Sequence, residues 1–335
     1  MATALSIAYD VLLTAGVALL GIGFFWKDRR SHLVRAAGWS IFGVFWFLHV
    51  PDYADEQDAL NALGAAAALP VFLFVAYHEW LSYTWREEYE PLRFACGAAF
   101  FASAVYFAFA RIPDLAAPLV QTVANQTVAI LNAIGGSYAA EGATCGGIPV
   151  SSGGVSVSAC PSGEAVMVLI YRTSVGPGDP LGVNIVLACA ALQAFAVAAS
   201  LMLSTRDPWK RKALALAIVL PVTYVMNLVR NVLIISRLSS GDPFELVHNW
   251  YGKTLSLAVL LVLIFVAFRL LPELYLNING LFELPWRKRP RHDYQKFVGR
   301  LSRKKKEGPT TPEPGKATGR SDGTGGDGRI PPSSP

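Results

Sequence analysis

Seven long apolar runs punctuate the chain, at about residues 4–25, 36–52, 60–83, 93–112, 182–203, 212–236 and 254–274. Each reaches the roughly 20 residues that a helix needs to cross hydrocarbon. Charged positions are gathered into short clusters between the runs, whereas a soluble domain of this size spreads Lys and Glu over its helices. The first run begins almost at Met1, but it is too long for a removable signal peptide and lacks the basic n-region and small-residue cleavage site. It is expected to be a retained span. The pattern predicts an all-α polytopic membrane protein with about seven transmembrane helices.

The fourth and fifth runs are separated by a long insertion. Asp114–Asn132 is moderately apolar but broken by Gln121, Asn125, Gln126 and Asn132, which suggests a segment lying along the interface. Gly, Ser and Val then dominate from Gly135 to Gly182, with alternation around Val155–Ser158 and Val166–Tyr171 that reads as short strands. The insertion is therefore expected to be a small β-rich lobe. From Glu307 to Pro335, Pro, Gly, Ser and Thr with scattered charge cannot bury a core. The expected organisation is a four-helix membrane region over 1–112, the insertion over 113–181, a three-helix membrane region over 182–275 and a basic, largely disordered cytoplasmic tail over 276–335. No internal repeat of the transporter kind is evident.

Composition agrees: 53% of the 335 residues are hydrophobic and 16% charged, and the mean hydropathy is +0.39. The net charge of +5 does not point to nucleic acid, because the basic residues flank membrane segments instead of interleaving with aromatics on a soluble surface. Lys27, Arg29, Arg30 and Arg35, then Arg206, Lys210, Arg211 and Lys212, then the stretch from Arg287 to Lys306, fall in alternate connections and belong inside. The other connections carry Asp52, Asp55, Glu56 and Asp58, or Asp242 and Glu245. A cell-membrane protein with its N-terminus outside and its C-terminus cytoplasmic is expected, with the insertion extracytoplasmic. The four cysteines show neither CxxC nor Cys/His metal spacing, so no metal or cofactor is expected.

Three residues carry candidate chemistry. Arg230 interrupts an otherwise apolar run, and a guanidinium within a span costs at least a few kcal/mol unless it faces a polar cavity or snorkels to the surface. Asn227 and Asn231 stand at i−3 and i+1 from it, so Asn227 shares its face. Cys189 lies in the apolar run Ile185–Ala191, where a lone Cys is commonly a packing residue. Counted inward from Gly182 and from Arg237 at 1.5 Å per residue, Cys189 and Arg230 fall at a similar depth, about 10 Å. A nearby cation stabilises a thiolate. His248, four residues before Gly252, titrates near neutrality. Nucleophile, proton carrier and cationic stabiliser together make a cysteine-hydrolase logic on the outer side.

These residues carry a family resemblance. Leu187-Ala188-Cys189 with Leu192-Gln193, Asn227-Leu228-Val229-Arg230-Asn231, and His248 with Gly252 resemble the active-site motifs of the archaeosortases, archaeal relatives of the bacterial exosortases. The likeness extends over most of the chain up to about Tyr275, including Leu92–Leu131. It implies a membrane cysteine transpeptidase in which Cys189, Arg230 and His248 are catalytic and Asn227, Asn231 and Gly252 support them. It also implies substrates that are exported surface proteins with a Pro-Gly-Phe-type C-terminal sorting segment, and a membrane lipid as acceptor. One departure stands out: the family commonly has Ser or Thr and then Gly after the Cys, where this chain has Ala190-Ala191. Lys253 and Arg269 are other cations near the third position; Arg269 falls at the inner end of its span, where snorkelling explains it.

Of the remaining cysteines, Cys145 and Cys160 occupy the outer lobe, where an oxidising setting permits a disulfide, and Cys96 reads as packing. Asp10 and His49 sit near outer helix ends. A rival reading remains open: a non-catalytic transporter or lipid-binding scaffold that uses Arg230 for an anionic headgroup. Within the enzyme reading, hydrolysis competes with lipid transfer.

Overall fold

The computed structural model describes residues 2–55, 58–145, 148–150, 165–243 and 246–288. Four helices form the first half of a bundle: α1 (Ala2–Phe25), α2 (Ser31–Leu48), α4 (Ala59–Trp85) and α5 (Glu90–Arg111), with a short α3 (Val50–Asp55) bridging α2 and α4. Asp58 caps α4 by accepting from the Asn61 amide at 3.1 Å. Between apolar helices there is little hydrophobic driving force in lipid, so close approach through small residues does the packing. At Gly38 a Cβ would come within 3.0 Å of the Leu20 amide nitrogen, so the α1–α2 crossing depends on its absence.

The second half contains α7 (Leu192–Ser204), α8 (Trp209–Ser239), α9 (Lys253–Leu270) and α10 (Pro272–Phe282). Among the described residues, six helical stretches are long and apolar enough to cross a membrane: Ala8–Phe25, Ser31–Asp55, Asn61–Trp85, Glu90–Arg111, Trp209–Ser239 and Trp250–Leu270. The fifth apolar run is different. Residues 182–203 do not make one continuous helix; they make a strand, a 3₁₀ turn and the 13-residue α7. The alternating, β-branched sequence of Val183–Val186 pairs in a sheet, which hydropathy alone does not distinguish from a helix.

Between the halves, the stretch expected to lie along the interface forms α6 (Pro113–Ala133). It buries Val120, Val123, Ala124, Thr127 and Leu131, the i, i+3, i+4, i+7, i+11 stripe of a core-facing helix. An antiparallel sheet lies against it: β1 (Tyr138–Ala140), β2 (Thr144–Cys145), β3 (Ile148–Pro149), β4 (Val166–Arg172) and β5 (Val183–Val186). The expected strand at Val166–Tyr171 is β4, the hub, which pairs with β1, β2 and β5. The expectation at Val155–Ser158 lies outside the described residues. Val166, Val168 and Ile170 alternate inward from β4 onto α6, and the same apolar cluster runs through Ile185, Leu187 and Ala190 to Leu228 and Ile235 of α8. The sheet thus anchors the turn that carries Cys189.

Past Tyr275, ordered structure continues through α10 to Lys288, the end of the first compact unit. Tyr89 donates to the Gly280 carbonyl at 2.9 Å, and the buried Arg287 packs over the Tyr89 and Trp85 rings while binding Ser82, Glu87 and the His78 carbonyl. The sequence from Glu307 lies outside the described residues.

The β4–β5 connection is held by one carboxylate. Asp179 accepts from Arg172 Nε and Nη2, both at 2.8 Å, and from the backbone amides of Arg172 and Leu181, both at 3.0 Å. The Arg172 hydrogen bond, aided by those amides, holds its carboxyl well below the usual carboxylate range. A depressed folded-state pKa stabilises the fold above the ordinary carboxylate value, and the benefit is lost as pH falls through the folded-state value. Amides of residues 166–186 are therefore expected to lose hydrogen-exchange protection on strong acidification, and Asp179→Asn to show that weakened protection already at neutral pH.

Candidate active site

Cys189 ends the 3₁₀ turn Leu187–Cys189, not an apolar helix, so a helical rise does not measure its depth. The turn needs a left-handed residue to hand the chain over to α7, and Ala191 supplies it at φ 60°, ψ 0°. A Cβ in this region costs about 1–2 kcal/mol, which is the physical reason a glycine suits this position. Ala190 is fully buried in the apolar cluster, in a setting that offers a hydroxyl little. Ala191→Gly is expected to fold at least as stably as the parent, strain relief offsetting backbone entropy, whereas the β-branched Ala191→Val loses about 1–3 kcal/mol. Thermal unfolding of the two variants checks this.

On α8, Asn227 and Asn231 are one turn apart and converge on a single acceptor. Asn227 Nδ2 donates to the Cys189 carbonyl at 2.6 Å and Asn231 Nδ2 donates to the same oxygen at 3.1 Å. Two amides on one carbonyl satisfy both its lone pairs and fix the turn against α8. Asn227 also lines a cleft of about 510 Å³ between α7, α8 and α9, together with Arg230, Gln193, Thr223 and Ser256 at polar positions. Ala188 and Ala191, on either side of the cysteine, line the same cleft; Cys189 itself is half-buried and packs toward the sheet cluster.

Arg230 Nε is buried without a hydrogen-bond partner among the described residues. An unpartnered guanidinium nitrogen inside an apolar bundle is costly and marks a place for an acceptor group to arrive. Gly252 is what lets α9 approach it: a Cβ there would stand 3.2 Å from Arg230 Nε and 3.1 Å from Ile234 Cδ1. His248 belongs to the π-helical turn Leu246–Gly252 that leads into α9; π turns recur at functional sites. Its side chain, like that of Lys253, lies outside the described residues.

Of the expected residues, the structure brings Cys189 to Asn227 and Asn231, and Arg230 to Asn227 and Gly252. Asp10 instead pairs with Arg111 at 2.5 Å, and His49 bonds the Phe45 carbonyl at 2.9 Å; neither lines the cleft. Cys96 is buried and donates to the Leu20 carbonyl at 3.1 Å. Cys145 is buried on β2, and Cys160 lies outside the described residues. Two polar pairs went unread in the sequence: Gln193 to Tyr106 at 3.2 Å, and Tyr224 to Gln126 at 2.6 Å. Their signal was present, since amides in apolar runs need partners. No group of three or more metal-ligating side chains occurs among the described residues.

Six span-length apolar helices among the described residues, and a cleft between α7, α8 and α9 that carries Arg230 next to a clamped cysteine turn, define a multi-pass membrane protein with a built site. The sequence model of the transmembrane exosortase family matches residues 7–266, and the chain belongs to that family. It is 24% identical over 284 residues to archaeosortase A of Natronomonas pharaonis, covering 82% of this chain and 81% of that protein. It is 27% identical over 220 residues to archaeosortase A of Haloferax volcanii, covering 62% of this chain and 64% of that protein. No solved structure matches the chain.

Proposed function

We propose that this chain is a membrane sorting transpeptidase that cleaves the C-terminal signal of exported surface proteins with Cys189 as nucleophile. The observation that carries the reading is the double amide clamp on the Cys189 carbonyl, which orients this one cysteine beside the Arg230 cleft. Membership of the transmembrane exosortase family and the two archaeosortase A relatives support it. The thiolate attacks a peptide carbonyl near the substrate's C-terminus, forming a C–S bond and a tetrahedral oxyanion. Arg230 stabilises the developing charge. The C–N bond then breaks, His248 protonates the departing amine, and a thioester remains on Cys189. A lipid nucleophile, deprotonated by His248, attacks the thioester; the C–S bond breaks and the Cys189 thiolate is regenerated beside a protonated His248.

In this reading the substrate carries a Pro-Gly-Phe-type segment, the site faces outward, the N-terminus is outside and the C-terminus cytoplasmic, as the charge bias of the connections favours. Cys145 and Cys160 then form a disulfide in the oxidising exterior. Co-expression of the chain with a surface protein bearing such a segment tests the function: the segment is released and the product's new C-terminus carries lipid. A segment that stays attached contradicts the reading, and a free carboxylate as the sole product replaces transfer by hydrolysis. The unpartnered Arg230 Nε beside the apolar residues Leu255, Val259, Leu260 and Leu263 also favours a second reading, a non-catalytic site for an anionic lipid headgroup. That reading requires processing to be indifferent to Cys189.

A further inference from the structure

At the end of the bundle away from the sheet, four ionisable side chains from α2, α4 and the α4–α5 corner form a closed cluster. Arg35 grips Glu88 with Nη1 to Oε1 at 3.0 Å and Nη2 to Oε2 at 3.2 Å, and its Nε stands 3.2 Å from Glu79 Oε1. His32 lies between the two carboxylates, with Nδ1 at 2.7 Å from Glu79 Oε2 and Nε2 at 3.2 Å from Glu88 Oε2. Glu79 is 0%, Arg35 1% and His32 4% exposed; Glu88 alone reaches solvent. We propose that this cluster is a one-proton binding site, in which His32 is held as an imidazolium at neutral and mildly alkaline pH and acts as the counter-charge of the buried Glu79.

The argument is one of counting. Two carboxylates and one guanidinium sum to −1; Glu88 reaches solvent but takes both hydrogen bonds of the Arg35 fork, so the shortfall falls on the fully buried Glu79, where it is strongly disfavoured. One further proton brings the sum to zero. A neutral imidazole has a single N–H and can donate to only one of its two carboxylate neighbours; the imidazolium donates to both. Arg35 Nη2 also comes within 2.8 Å of His32 Nδ1, but it has Glu88 Oε2 as its own acceptor, which frees Nδ1–H for Glu79. Burial works against the Glu88 carboxylate, yet its hydrogen bonds from His32 and Arg35 outweigh that and hold its carboxyl at about 2, so the extra proton does not reside there.

Among the described residues, the charged groups of the neighbouring elements have partners of their own, Glu90 of α5 pairing with Arg206. From α1, Gly23 backs onto Arg35 Cγ. From α5 come Cys96, bonded to the Leu20 carbonyl, and Arg93, which lies over the Phe24 ring. On α4, His78 adjoins the buried Arg287, whose own partner is Glu87. Loss of the cluster's proton therefore leaves an uncompensated negative charge where α2, α4 and the corner meet, and this end of the bundle loosens as pH rises.

Nitrogen-15 histidine NMR on the full-length protein in lipid nanodiscs tests the proposal, with His32, His49, His78, His248 and His292 as its five signals. At pH 8 one imidazolium is expected, absent in His32→Gln and converted to neutral imidazole in Glu79→Gln, where Arg35 and Glu88 already cancel. No imidazolium at pH 8, or one unchanged by Glu79→Gln, overturns it. If His32→Gln does not assemble, thermal unfolding decides: the parent protein loses stability as the solution is made alkaline while the isosteric Glu79→Gln does not. Parallel pH profiles would refute the site.

Discussion

Cys189→Ala is expected to reduce release of the C-terminal segment from a co-expressed surface protein by about 10³-fold or more, the scale on which removal of a covalent nucleophile acts. The protein itself should remain folded. Asn227 and Asn231 bind the backbone carbonyl of residue 189, not its sulfur, so alanine keeps the clamp, the 3₁₀ turn and the entry into α7. Equal thermal stability with lost processing separates a nucleophile from a packing residue. Processing that survives in Cys189→Ala, with the variant correctly assembled, removes cysteine catalysis and leaves the headgroup-binding reading of Arg230.

The second large effect is on stability, at the other end of the bundle. Arg35→Leu leaves His32 as the one cation facing both Glu79 and Glu88, and removal of one partner from a buried ionic group costs about 3–5 kcal/mol. Arg35 meets Glu79 and Glu88 together, so the upper part of that range is expected. Thermal or denaturant unfolding in a defined detergent measures it. Arg35→Leu combined with Glu79→Gln should recover much of the loss, since Glu88 then has the His32 imidazolium as its partner and the cluster sums to zero. A single variant as stable as the parent would mean the cluster is not held together by charge.

The sequence made some features readable and hid others for physical reasons. Six of the seven apolar runs correspond to span-length helices, because hydrocarbon demands both length and apolarity and these leave a clear trace. The run at 182–203 misleads because Val, Ile and Ala are apolar in strand and helix alike; the break comes from the left-handed backbone at Ala191, which composition does not reveal. Helix α6 is legible in principle from Val120, Val123, Thr127 and Leu131, whose spacing marks the buried face, while Asn125 and Gln126 stand on the exposed one.

At the site, Arg230 and Asn227 were marked by their cost inside an apolar run, and Asn227 does share the Arg230 cleft. That Asn231 joins Asn227 on one carbonyl follows from their i, i+4 spacing, yet the acceptor lies on a different segment and no local pattern points to it. Arg35 was read as one of several inside charges. Nothing local says that it turns inward to Glu79, 44 residues away by number, since burial is a tertiary property.

The central claim is a covalent intermediate on Cys189. Purified protein in nanodiscs, incubated with a peptide carrying the sorting segment and quenched in acid, gives a Cys189-containing fragment for mass spectrometry. A mass increase equal to the upstream part of the peptide, removed by hydroxylamine and missing in Cys189→Ala, is the predicted result. Cleaved product with Cys189 unmodified, or an adduct on another residue, would contradict it.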